Sequence, residues 1–350
     1  MKMENLKYRR NMCFLAVGSG LLILGAVSVS ATTEEAFHKR FIVHPEGSLV
    51  VDVDCGGIEV GTNGTGDVII DVKRKVGRKT KADEEKYLRE HPIEFLQDGD
   101  KITVRCREKS GNGMWSWRGT TLNEADYTIT LPAHFNAKLN TAGGSIVVND
   151  LTGKVKADTS GGGLRFTRIH GQLNGATSGG SIRMSECDGE QRIRTSGGGI
   201  EVSGGAGSLD GATSGGSVKV ENFHGPARVE TSGGGIAVQN VAGKIDGQTS
   251  GGSIHAVLVS PLADSVRLST SGGGITVRIP GDAAFDLDAE TSAGNVSSEL
   301  PVTVIGKVHG DHLRGTVNGG GKSINLRSSA GSIHITKGEA LVKAEAEERR

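Results

Sequence analysis

Apolar and polar residues alternate along most of this chain. Ile182 and Met184, Ile200 and Val202, Val218 and Val220, and Ile236 and Val238 are separated by Arg, Glu, Lys and Ala. A period of two places one set of side chains on a single face, the signature of a strand with one buried side. A second short segment in each unit, such as Arg192-Ile193-Arg194-Thr195, alternates in the same way. Glycine pairs interrupt the pattern, and they would break any helix. The expected elements are therefore short strands joined by tight turns, with glycine supplying positive φ at the turns.

The turns recur on a fixed spacing. Thr-Ser-Gly-Gly or a close variant begins at Thr141, Thr159, Thr177, Thr195, Thr213, Thr231 and Thr249, each 18 residues after the last. Two later copies start at Thr270 and Thr291, spaced by 21, and a degenerate copy is Ser328-Ser329-Ala330-Gly331. The extra residues around Ser260-Pro261-Leu262 and Pro280-Gly281-Asp282 read as loop insertions. The expected structural turn glycines are Gly161, Gly179, Gly197, Gly215, Gly233 and Gly251, and a second glycine column runs through Gly153, Gly171, Gly189, Gly207, Gly225 and Gly243. Alternate copies differ: Gly175, Gly211 and Gly247 stand where Ile193 and Val229 stand in the copies between them. The pattern thus has 18-residue half-repeats within a 36-residue superperiod. An 18-residue coil would set large side chains beside glycines in successive coils, and a 36-residue coil would stack like on like.

A unit this short cannot bury its apolar face alone, so stacking must build the core. The expected fold is all-β: a single-chain β-solenoid (β-helix) with an N-terminal β-rich cap. A propeller would need repeats of roughly 40 residues with four longer strands each. Composition agrees, with 55 glycines but only 8 Phe, 3 Tyr and 2 Trp, as a narrow interior of small side chains requires. With 7 prolines and no Gly-X-Y period, collagen is excluded.

Four segments follow: 1–31 as an export signal, 41–132 as a capping region, 133–337 as the repeat array, and 338–350 as a charged tail. Lys7, Arg9 and Arg10 precede an apolar stretch from Met12 to Val29, and Val29-Ser30-Ala31 fits a cleavage site. An uncleaved membrane anchor is the alternative. Either way the remainder is expected outside the cytoplasm, in the periplasm, on the cell surface or secreted. Cys55, Cys106 and Cys187 would remain after cleavage, an odd number, and Cys55 and Cys106 are candidates for a disulfide or for small buried side chains. In the cap, Lys81 to His91 is a candidate helix, and Asn112 to Trp117 is a loop holding both tryptophans.

The export signal, the Leu49–Val60 opening, the Tyr127-Thr128-Ile129-Thr130-Leu131-Pro132 strand and the serial Thr-Ser-Gly-Gly-x-Ile-x-Val units together resemble a bacterial β-strand-repeat family of proposed adhesins, a domain of unknown function. The resemblance spans about Phe41 to Lys337. It implies an adhesive role and supplies no catalytic residues. Members commonly carry Asp after the paired glycines, where this chain has Ser or Gly.

Candidate chemistry adds little to that implication. With 40 basic and 40 acidic residues the chain carries no net charge and no nucleic-acid footprint. The turns lack the recurrent Asp of calcium-binding repeats. His170 and His224 share a repeat column, with Asp188 and Ala206 between them, too far apart for one metal ion. Glu186, Asp188, Glu201, Glu221 and Glu230 are dispersed, unlike the carboxylate pair of a glycosidase. Ser-Gly-Gly lacks the Gly-x-Ser-x-Gly elbow, and a stacked Thr column is more simply a β-former than an ice-binding ladder. No motif calls for a cofactor or metal. Trp115 and Trp117, with same-face spacing, are candidate ligand contacts or an end plug. The expectation is a non-enzymatic, adhesin-like module for a polysaccharide or envelope partner, touching membrane only through an uncleaved N-terminus. The alternatives are a carbohydrate-active lyase or hydrolase, and an envelope scaffold or sensor partner.

Overall fold

A computed structural model describes residues 32–107, 122–304 and 310–338. The segment 1–31 expected to be an export signal, Trp115 and Trp117, and the tail from 339 onward lie outside the described residues. The protein is all-β with long parallel sheets, consistent with a β-solenoid. Among the described residues there are two sheets of fourteen strands each.

In the array, pairing follows the sequence repeat. Strand Ile182–Ser185 lies parallel between Leu164–Thr167 and Ile200–Ser203, with Ile182 opposite Leu164 and Ile200. In the other sheet, Asp188–Thr195 lies between His170–Thr177 and Ala206–Thr213. Each residue thus faces the one 18 positions away. Gly175, Ile193, Gly211, Val229, Gly247 and Leu268 consequently stand side by side. A methyl group on Gly211 would touch Ile193 and Val229 at 3.6 and 3.7 Å, whereas at Gly175 it would meet Phe166 at 3.0 Å. Bulky neighbours occupy the room that each glycine leaves, which keeps the interior dense. The insertion after Val257 lengthens one coil, so Ile254 pairs with Ile275, 21 residues on.

The two corners of the coil solve different problems. At the Thr-Ser-Gly-Gly corner the threonine is buried. Thr195 Oγ1 donates to the Gly180 carbonyl of the preceding coil at 2.8 Å and accepts from the Gly198 N–H at 3.3 Å. The same pair of bonds recurs from Thr141 to Thr270 and at Ser328. The threonines therefore face inward and bind successive coils, and none is free to form an outward ladder. Gly161, Gly179, Gly197, Gly215, Gly233 and Gly251 do lie at this corner, but a methyl group on Gly197 would approach no atom closer than 3.4 Å. The glycine that space demands is the next one: on Gly198 a methyl would sit 2.0 Å from the Gly180 oxygen.

None of these corner glycines has positive φ. Left-handed backbone falls instead at the second corner, where Asp150, Arg168, Glu186, Asn222 and Asn240 have φ between 51° and 61° and Gly204 has 74°. The next residue plugs the corner: Leu151, Ile169, Cys187, Phe223 and Val241 are all buried. Gly205 leaves that place empty in one coil. There Gln191, 1 % exposed in a column otherwise apolar, donates to the carbonyls of Cys187 at 2.6 Å and Ala206 at 3.3 Å.

Stacking order departs from chain order at both ends. At the N-terminal end the elements are β1 (Thr32–Ile42), β2 (Ser48–Val53), β3 (Gly57–Asn63), β4 (Asp67–Gly77), α1 (Lys81–Glu90), β5 (Glu94–Asp98), β6 (Lys101–Cys106), β7 (Leu122–Pro132), β8 (Asn136–Thr141) and β9 (Ile146–Asn149). The first array coil, β8 and β9, stacks on β2 and β3, which stack in turn on β6 and β7. Beyond them β4 pairs antiparallel with β7, β1 with β4, and β5 with β6. Helix α1 begins at an N-cap, Thr80, which accepts from the Asp83 N–H at 3.2 Å. Its Glu84 is fully buried and accepts from Thr33 Oγ1 at 2.6 Å and the Arg78 N–H at 3.0 Å. At the far end the last coil, Lys322–Ser328 and Ile333–Gly338, wedges between the coil of Thr270 and that of Thr291.

Candidate functional site

Among the described residues Cys55, Cys106 and Cys187 are free thiols, and Cys55 and Cys106 form no disulfide. Cys106 Sγ lies 3.7 Å from Arg74 Nη1. Burial pushes the thiol pKa of Cys55, Cys106 and Cys187 above the ordinary value, which leaves them protonated and weakly nucleophilic.

Four of the five outward carboxylates singled out by sequence have basic partners. Glu201 accepts from Arg183 at 3.3 Å, Glu221 pairs with Lys219 at 2.8 Å, Glu230 with Arg228 at 2.5 Å, and Asp188 with His170 at 2.9 Å. Down one outward column the charges alternate as Arg192, Asp210, Arg228, Asp246 and Arg267. Stacked at about 4.8 Å, like charges would repel, so alternation lets a long ladder neutralise itself. His170 and His224 stand three coils apart, with Asp188 and Ala206 between them. Among the described residues no group of three His, Cys, Asp or Glu is placed to hold a metal ion.

Two of the concave regions among the described residues bear on function. One, of about 520 Å³, opens between the hairpin Phe285–Thr291/His312–Val317 and Lys322–Ser328. Asp288 holds it together, receiving Arg327 Nη2 at 2.9 Å and His312 Nε2 at 3.1 Å. The Arg327 guanidinium first, then His312, keeps the Asp288 carboxyl below its ordinary pKa. A carboxylate so committed is an anchor rather than a base.

The other is a shallow groove of about 300 Å³ across β2, β8 and the two strands that follow in the same sheet. Strand alternation turns Ala137 and Val155 inward, so Lys138, Lys154 and Lys156 point to solvent. Asn136, Gln172 and Asn174 complete the surface. Lys156 is 3.6 Å from Asp158, while among the described residues Lys138 and Lys154 have no ion-pair partner. Sequence reasoning missed this platform because Lys138 lies one coil away from Lys154 and Lys156, 16 and 18 residues earlier in the chain, and register alone makes them neighbours.

Fold, repeat and corner chemistry together define a stacked β-strand-repeat protein. The chain belongs to the Toastrack DUF4097 family, whose model matches residues 49–336, a domain of unknown function. Solved structures share low identity with it. A proposed cell adhesion protein from Clostridium sporogenes is 12 % identical, with 87 % of this chain and 100 % of that one covered and a TM-score of 0.20. A proposed adhesin from Bacteroides fragilis is 10 % identical, covering 87 % and 97 %, with a TM-score of 0.31. A proposed lipid-binding protein from Parabacteroides distasonis is 11 % identical, covering 87 % and 97 %, with a TM-score of 0.26. No curated protein matches the chain.

Proposed function

We propose that this protein is an exported, non-enzymatic, adhesin-like module that binds an acidic polysaccharide of the cell envelope or of a neighbouring surface. It is built on an 18-residue coil whose side-chain pattern repeats every second coil. The observation that carries the reading is the groove of Lys138, Lys154 and Lys156 beside Asn136, Gln172 and Asn174. The ammonium groups of Lys138 and Lys154, with Lys156 and the amides beside them on a rigid sheet, suit repeated carboxylates and hydroxyls, and a rigid sheet loses little entropy on binding. Trp115 and Trp117 are proposed as further contacts for sugar rings.

The test is binding to acidic and neutral polysaccharides with a parallel assay for released reducing ends. Acidic polymers should bind, more weakly as salt rises, and Lys138→Ala/Lys154→Ala/Lys156→Ala should lose most of the affinity. Equal binding of neutral polymers, an unaffected triple variant, or release of reducing ends would each overturn the reading.

A further inference from the structure

The first sheet ends in an eleven-residue strand paired along one side. β1 pairs with β4 from Thr32 opposite Gly77 to Ile42 opposite Asp67, and among the described residues no strand lies beyond it. Its outer N–H and C=O groups form a rail on which another strand can pair. The strand reads TTEEAFHKRFI, acidic and then basic about a central Phe37. Laid antiparallel against a second copy with Phe37 opposite Phe37, Glu34 faces Arg40 and Glu35 faces Lys39, and symmetry makes each pair occur twice. We propose that β1 joins two copies of this chain edge to edge, as an antiparallel two-fold pair that carries the first sheet through both.

The same chemistry fixes the register. A two-fold axis perpendicular to the sheet keeps every residue on its own face, so a slip by one residue would exchange faces. A slip by two sets Glu34 and Glu35 opposite His38 and Phe37, or opposite Ile42 and Phe41, and neither carboxylate then meets Lys or Arg. In the chain's own ladder Glu34 faces Lys75 and Glu35 faces Arg74, at 3.1 and 2.6 Å. Rows across the joint therefore run Lys75–Glu34–Arg40 and Arg74–Glu35–Lys39, the third residue in each coming from the second copy, with signs alternating throughout. The middle row sets Val72 and Phe37 against the same two residues of the other copy. Phe37 and Phe41, half-buried in the single chain, would be covered by the joint.

Two differently tagged full-length copies, co-expressed and captured through one tag in mild detergent, test this. Wild-type copies should be captured together. Glu34→Lys with itself, or Arg40→Glu with itself, places two like-charge pairs in the joint and should lower capture at least about tenfold. Glu34→Lys co-expressed with Arg40→Glu should recover it, because both pairs are again opposite in sign, and a variant that had merely failed to fold would not be rescued. Absence of wild-type capture, equal capture of every combination, or failure of the mixed pair to recover would overturn the proposal.

Discussion

Replacing Gly198 by alanine tests the stacking argument most directly. The new methyl would sit 2.0 Å from the Gly180 carbonyl oxygen, and backbone on both sides leaves no flexible atom to yield. Relief to about 3 Å requires the two coils to part by roughly 1 Å. Three hydrogen bonds cross that gap: Thr195 Oγ1 to Gly180 O at 2.8 Å, and Gly197 N–H to Ser178 O and Ile182 N–H to Gly199 O at 2.9 Å each. Stretched by that much they fall outside bonding range, and at ~1 kcal/mol apiece the loss is about 3 kcal/mol. Gly197→Ala is the control, since its methyl would be 3.4 Å from the nearest atom and its φ is not left-handed. It should change stability by less than about 0.5 kcal/mol. Urea unfolding reads the total, and amide exchange at Ile182 and at position 197, the two amides that donate across the gap, reads the local opening, with protection falling roughly a hundredfold in Gly198→Ala alone. Wild-type stability of Gly198→Ala, or equal losses for the two variants, would refute the reasoning.

Two further outcomes follow from the corner threonine and the C-terminal cleft. Thr195→Val keeps the volume but strands the Gly180 carbonyl and the Gly198 N–H. It should cost about 1–3 kcal/mol in urea unfolding, with Thr195→Ser costing less because the hydroxyl is retained, as Ser328 retains it in the last coil. Asp288 has a folded pKa below its unfolded one, so the stability it contributes is complete above the ordinary carboxylate range and is lost as pH falls through the folded value. Amide protection of His312–Val317 should therefore drop below about pH 4, and Asp288→Asn should remove that dependence.

Period-two alternation and the 18-residue spacing determined the strands, the corners and which faces are buried, because those properties depend only on neighbours along the chain. The helix was legible too, as the charged run Lys81 to His91, and the structure has it over Lys81–Glu90. Which glycine is indispensable was not legible: Gly197 and Gly198 are adjacent and identical, and only the Gly180 carbonyl of the coil beneath distinguishes them. The threonine column read as a β-former, and only the stacking of coils shows that it points inward. The lysine groove likewise exists only through register. Stacking order was decided by tertiary structure alone, since every coil presents equivalent rows of N–H and C=O groups and any coil can pair with any other. In the folded chain β2 and β3 lie between the array and β6 and β7, and Lys322–Gly338 lies between the coils of Thr270 and Thr291. Local pattern carries no record of that long-range choice.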